Sequence, residues 1–139
     1  MIGFTDVEIR FNLKNKLRVR TWIKDIIMRE AKSLGNITYI FCTDNFLGSM
    51  NEKFLNHTTL TDIITFDYSE KDLMSGDIFI SIERVRENSI TYKTSFDEEI
   101  GRVMAHGILH LAGYKDKSGK DKKMMRSKED LYLTTYPNL

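Results

Sequence analysis

Residues 95–113 spell out a helix with both of its ends specified. Ser95 and Glu98 form a capping box, the pairing in which a serine hydroxyl and a glutamate carboxylate satisfy free amides at a helix start. The helix runs to about Leu111. Gly113 follows, the residue type that closes a helix most cheaply by taking a left-handed conformation. On such a helix His106 and His110, four positions apart, share one face.

The chain ahead of this helix alternates strands and helices. Val7, Ile9 and Phe11 alternate with polar neighbours over 6–12, the period of a half-buried strand. Val19, Ile23, Ile26, Ile27 and Leu34 follow a helical period over 16–34, with Gly35 where a helix stop belongs. Residues 37–43, ITYIFCT, are β-branched and aromatic and read as a buried strand. Asp44 is placed to cap a helix over about 45–56. Residues 62–68 and 77–82 read as two more strands with a polar turn, SEKDLMSG, between them. A short helix is expected over 83–92 and a last one over about 119–134. The class that results is α+β: a mixed sheet of about four strands packed with helices, one of them a metzincin-like metal-binding helix. The sole proline, Pro137, lies in the tail, so residues 1–139 are expected to form one metal-dependent hydrolase domain.

With 41% hydrophobic and 29% charged residues, the composition is that of an ordinary globule. Cys42 is the only cysteine, which excludes an intrachain disulfide and suits a reducing cytosol. The opening MIGFTDVEIRF does not read as a signal peptide, and no apolar run approaches a membrane span, so a cytoplasmic protein is expected. The net charge of +1 conceals two basic runs. Arg10, Lys14, Lys16, Arg18, Arg20 and Lys24 form the first; Lys115, Lys117, Lys120, Lys122, Lys123, Arg126 and Lys128, with Asp116 and Asp121 among them, form the second. Solvated helix faces are the plain reading. The second run directly follows the two histidines, however, and a cationic rim there favours a polyanion such as RNA.

The segment 106–116, HGILHLAGYKD, carries the chemistry. Two imidazoles on one helix face, a glycine turn and then Asp116 give three metal ligands. A set of three leaves an open coordination position, as catalytic zinc sites do. A metal with an open position can bring the pKa of a water to about 7 and polarise a phosphoryl oxygen. Asp116 has an ordinary alternative as a surface residue of a charged loop. The residue after the first histidine is Gly107, where H-E-x-x-H proteases carry their glutamate base.

HGILHLAGY resembles the H-G-x-L-H-L-x-G-Y-D-H signature of the YbeY family, metal-dependent endoribonucleases of ribosomal RNA maturation. TDIITF at 61–66 is similar to that family's P-T-D-V-L-S-F strand, and GDIFIS at 76–81 to its G-D-I strand, so the resemblance covers about residues 40–133. It implies that His106 and His110 are the first two metal ligands and that Asp116 stands where the family has its third histidine. A carboxylate there adds negative charge and weakens the metal as a Lewis acid. The family arginine that precedes P-T-D falls on Leu55 here, and the proline on Leu60. His57 can replace that cation, act in acid–base chemistry, join the metal ligands, or do nothing. His57, Asp62 and Asp77 are the candidate catalytic or orienting groups; for the two aspartates the alternative is capping of turns. Tyr114 is expected to pack beside the site.

The resemblance implies a zinc-dependent, single-strand-specific endoribonuclease holding one zinc ion per chain. Its expected partners are ribosomal RNA and the small ribosomal subunit, with roles in small-subunit rRNA 3′-end processing and ribosome quality control, and no DNA or membrane partner. A metallopeptidase-like hydrolase and a non-catalytic ribosome- or RNA-binding metal protein are the alternatives.

Overall fold

The computed structural model describes residues 1–55 and 61–139, apart from the side chains at 54 and 55. The elements run β1 (Ile2–Asp6), α1 (Lys16–Arg29), β2 (Ser33–Cys42), α2 (Asp44–Leu55), β3 (Ile63–Asp67), β4 (Leu73–Ser81), α3 (Ile82–Thr91), α4 (Phe96–Leu111) and α5 (Gly119–Leu133). The sheet order is β1-β2-β4-β3. β1 and β4 run parallel to β2, and β3 runs antiparallel to β4. The expected α+β architecture with a four-stranded mixed sheet is the one observed.

One sheet face carries the main core. Ile37, Tyr39 and Phe41 of β2 and Met74, Ile78 and Ile80 of β4 pack against Trp22, Ile23 and Ile26 of α1 and against Met104, Ala105 and Ile108 of α4. Each fully buried isoleucine contributes about 1.5–3 kcal/mol relative to exposure. Polar atoms within this core are paired: the Tyr39 hydroxyl donates to the Met104 carbonyl at 2.9 Å and the Trp22 indole N–H to the Tyr132 carbonyl at 2.8 Å. A smaller cluster of Cys42, Leu47 and Ile64, flanked by Phe46, Phe66 and Phe79, covers part of the opposite face.

Several boundaries differ from the sequence reading. The first strand is Ile2–Asp6, not 6–12. Glu8 has φ 60, which breaks an extended chain, and the Phe11 amide donates to the Asp6 carboxylate at 2.8 Å to close a turn. Val7, Ile9 and Phe11 are still half-buried, so their alternation reported burial and not pairing. Helix α1 ends at Arg29, five residues early. Ala31 takes the left-handed conformation (φ 60), and the Ala31 and Lys32 amides donate to the Met28 and Ile27 carbonyls, a Schellman closure without glycine. Gly35 serves β2 instead: a Cβ there would lie 2.2 Å from Ser75 Oγ and 2.9 Å from the Met74 carbonyl oxygen.

Thr43, not Asp44, caps α2, accepting from the Phe46 amide at 3.1 Å. Asp44 is the first helical residue, and its carboxylate accepts from Ser81 Oγ and Arg84, both at 2.7 Å. Half of the expected turn SEKDLMSG belongs to β4, which begins at Leu73. The reversal is confined to Lys71 (φ 54) and Asp72, between reciprocal backbone bonds of Glu70 and Leu73.

Candidate metal centre

Helix α4 is fixed at both ends as its sequence requires. Ser95 Oγ accepts from the Glu98 amide at 3.0 Å. At the other end Gly113 has φ +108, and the Gly113 and Tyr114 amides donate to the His110 and Leu109 carbonyls. Gly107 lets this helix lie close on the sheet. A Cβ there would meet Ile78 Cγ2 at 2.9 Å and Ile63 Cδ1 at 3.1 Å, so position 107 points into the sheet rather than towards the histidines.

The glycine closure turns the chain so that Asp116 faces back onto α4. Its Oδ2 lies 3.3 Å from His106 Nε2 and 3.2 Å from His110 Nε2. The two imidazoles meet edge to face with centroids 4.5 Å apart. Four-coordinate zinc with ligands at about 2.0–2.2 Å separates neighbouring ligand atoms by about 3.3–3.6 Å, close to these spacings. His106, His110 and Asp116 offer ligand atoms that all lie within 4.8 Å of one another, so the three could hold one metal ion.

The remaining nitrogen of each ring is engaged. His106 Nδ1–H donates to Glu129 Oε2 at 2.7 Å, and His110 Nδ1–H donates to the Tyr114 carbonyl at 3.0 Å. These bonds favour the tautomers whose Nε2 lone pairs face Asp116. Glu129 is 4% exposed, and its other oxygen accepts from Arg102 at 3.1 Å, while Arg102 also pairs with Asp130 at 2.9 Å. Removing either partner would leave a buried charge uncompensated. Burial alone would lower the His106 pKa; the Glu129 hydrogen bond and charge outweigh it and raise the value.

A second buried carboxylate braces the turn. Glu30, at the end of α1, accepts from the Tyr114 hydroxyl at 2.6 Å, from Lys128 at 3.2 Å and from the Tyr132 hydroxyl. Burial acts to raise its pKa, and these hydrogen bonds together lower it. Tyr114 thus packs beside the site as expected, and its backbone also orients His110.

Two clefts meet at the histidines. One, of about 740 Å³, is bordered by Thr61–Thr65, Leu111 and Lys117. The other, of about 300 Å³, lies among Asn88, Tyr92, Glu99, Arg102, Lys122 and Arg126. Asp62, Ile63, His106 and Asp116 line both. Asp62 sits at the bend before β3, its carbonyl accepting from the Ser81 amide at 3.0 Å, and burial pushes its carboxyl pKa up against the lowering charge of His106.

Asp62 is therefore brought to the histidines, and Asp77 is not. On β4 the neighbours Gly76 and Ile78 face α4, so Asp77 stands on the opposite face of the sheet, against the Tyr68 hydroxyl. His57 and Leu60 lie outside the described residues, as does the side chain of Leu55. Of the basic runs, Lys117, Lys122 and Arg126 border the clefts. In the first run Lys14 pairs with Asp97 at 2.9 Å and Arg20 donates to the Ile2 carbonyl at 2.9 Å; none of that run lines either cleft.

Sequence reading missed Arg102, Glu129, Glu30 and Glu99. Arg102 and Glu99 carry a signal, being four and seven positions before His106 on one helix stripe. Nothing local marks Glu30 or Glu129, which reach the site only through the packing of α1 and α5.

The sequence profile described as Endoribonuclease YbeY matches residues 5–137, from the end of β1 through all of α1 and onward. A protein named Endoribonuclease YbeY from Flavobacterium psychrophilum is 54% identical over 136 residues, covering 98% of this chain and 96% of that one. Its namesake from Cytophaga hutchinsonii is 47% identical, covering 96% and 94%. Among solved structures, the solution structure of TM1509 from Thermotoga maritima superposes with a TM-score of 0.67 at 26% identity, covering 96% of this chain and 87% of that one. With a profile match over nearly its whole length and relatives this similar, the chain belongs to the Endoribonuclease YbeY family.

Proposed function

We propose that this protein is a metal-dependent endoribonuclease of ribosomal RNA maturation, acting on single-stranded RNA within one hydrolase domain in the cytoplasm. The observation that carries the reading is the convergence of His106, His110 and Asp116 where two clefts with basic residues at their edges meet, His106 and Asp116 lining both and His110 the larger. The three residues hold one ion, with zinc the choice best matched to two imidazoles and a carboxylate. When bound, the ion supplies Lewis acidity towards a phosphoryl oxygen and eases ionisation of water.

The chain's own groups do the rest. Lys117, Lys122 and Arg126 draw the phosphate backbone across the clefts, so binding weakens steeply with salt. Asp62, beside His106 in both clefts, takes a proton from the attacking water as its oxygen bonds to phosphorus. The bond from phosphorus to the leaving ribose oxygen breaks, and that oxygen takes up a proton from solvent water, while Asp62 later releases its own to solvent. Glu129 and the Tyr114 carbonyl hold the imidazoles in place throughout. Small-subunit precursor RNA is the proposed substrate and the small ribosomal subunit the proposed partner. No described helix is long and apolar enough to cross a membrane.

Gly107 argues against the peptidase alternative. A glutamate there would be driven into Ile78 and Ile63 instead of facing the substrate. The test is incubation with precursor ribosomal RNA and, separately, with casein. RNA cleavage that a chelator stops and zinc restores is expected, with casein intact. Chelator-insensitive cleavage, or cleavage of casein alone, would refute the proposal.

A further inference from the structure

We propose that the smaller cleft is a base-reading subsite that takes one guanine of the RNA beside the scissile phosphate, with Glu99 as the specificity-determining residue. The proposal rests on the nuclease reading and assigns roles to Glu99 and Tyr92, which that chemistry leaves unused.

The cleft's volume, about 300 Å³, is at the small end of the range for ligand pockets, which suits one base better than a stack. It adjoins His106 and Asp116, so a nucleotide seated in it places its phosphate at the metal ligands. Tyr92, 65% exposed, stands at its edge and packs on no other aromatic ring among the described residues, leaving a face for a base to stack on. Lys122 and Arg126 provide cations on the rim for flanking phosphates.

Glu99 supplies the selectivity. It is 6% exposed yet lines the cleft, and its carboxylate makes no hydrogen bond or ion pair among the described residues. Arg102, the nearest cationic candidate on its helix, is committed to Glu129 and Asp130. Its oxygens open onto the cleft, where a ligand can bring donors in place of water. Burial raises the Glu99 carboxyl pKa against the lowering charges of Arg102 and Arg126; in its ionised form the carboxylate only accepts. Guanine presents two adjacent N–H donors on one edge, whereas adenine, cytosine and uracil each place an acceptor beside the donor. Two carboxylate oxygens therefore match guanine and clash electrostatically with the other three.

Titration of the four nucleoside 5′-monophosphates, followed by NMR on the zinc-loaded protein, tests this without any cleavage. Guanosine monophosphate is expected to bind on the order of tenfold tighter than the others, shifting the Tyr92 and Glu99 resonances. Glu99→Gln replaces one acceptor by a donor and should erase that preference or move it towards adenosine monophosphate. Tyr92→Ala, at an exposed position, should weaken all four without changing their order. Equal affinities in the unaltered protein, no binding of any, or an unchanged guanine preference in Glu99→Gln would overturn the proposal. A protein that shows the preference but cuts no RNA would refute the nuclease reading and leave the subsite standing.

Discussion

Asp62 and Asp77 are the same residue type, one just ahead of β3 and the other within its antiparallel neighbour β4, and the fold gives them opposite environments. Asp77 lies inside β4, where side chains alternate strictly, and its odd position puts it on the sheet face away from α4. Asp62 has the parity of Ile64 and Phe66, which also face away. It escapes that parity because residue 62 is a bend ahead of β3 and not part of the strand. One aspartate ends beside two imidazoles and the other beside a surface tyrosine. Position in a similar motif does not place a carboxylate in a site; the backbone geometry at that residue does.

Predictions that sharpen the contrast fall in order of size. His106→Ala and His110→Ala should each abolish stoichiometric zinc binding and lower RNA cleavage by at least about 10³-fold, measured by metal analysis and gel assay. Asp62→Asn should keep zinc but lower the cleavage rate by about 10²- to 10⁴-fold. Full activity in that variant would remove Asp62 from the chemistry. Glu129→Gln, which leaves His106 without its carboxylate, should weaken zinc binding by about 10- to 100-fold in a competitive chelator titration. Asp77→Asn should change neither zinc affinity nor cleavage by more than about twofold, because residue 77 lies on the sheet face away from the metal ligands. A large loss there would break the comparison.

Protonation gives a further handle. The His106 pKa is raised in the folded protein, so its stabilisation of the metal-free form is fully present below about pH 6.5 and is lost as pH rises through the raised value. Zinc competes for the same nitrogen, and its affinity should fall as pH drops through that value. Glu129→Gln should move the midpoint of this fall to lower pH, because the group that raises it has gone. An unmoved midpoint would mean that Glu129 does not govern His106.

Much of this arrangement is legible in the sequence where the physics is local. Ser95 and Gly113 fix α4, and the spacing from His106 to Asp116 gathers the three candidate ligands. Reading fails where a local rule has a substitute. Ala31 closes α1 in place of Gly35, and Thr43 caps α2 in place of Asp44. It fails again where contacts are long-range: Glu129 reaches His106 across 23 residues and Glu30 reaches Tyr114 across 84, with no periodicity to announce either.

The central claim is that one ion held by His106, His110 and Asp116 drives RNA cleavage. The most direct measurement is a zinc titration of chelator-stripped protein, with cleavage of precursor ribosomal RNA read at each addition. The account predicts no cleavage in stripped protein, a rise to full activity at one equivalent per chain, and no rise in Asp116→Ala over the same range. Cleavage by stripped protein, or recovery in Asp116→Ala that matches the unaltered chain, would contradict it.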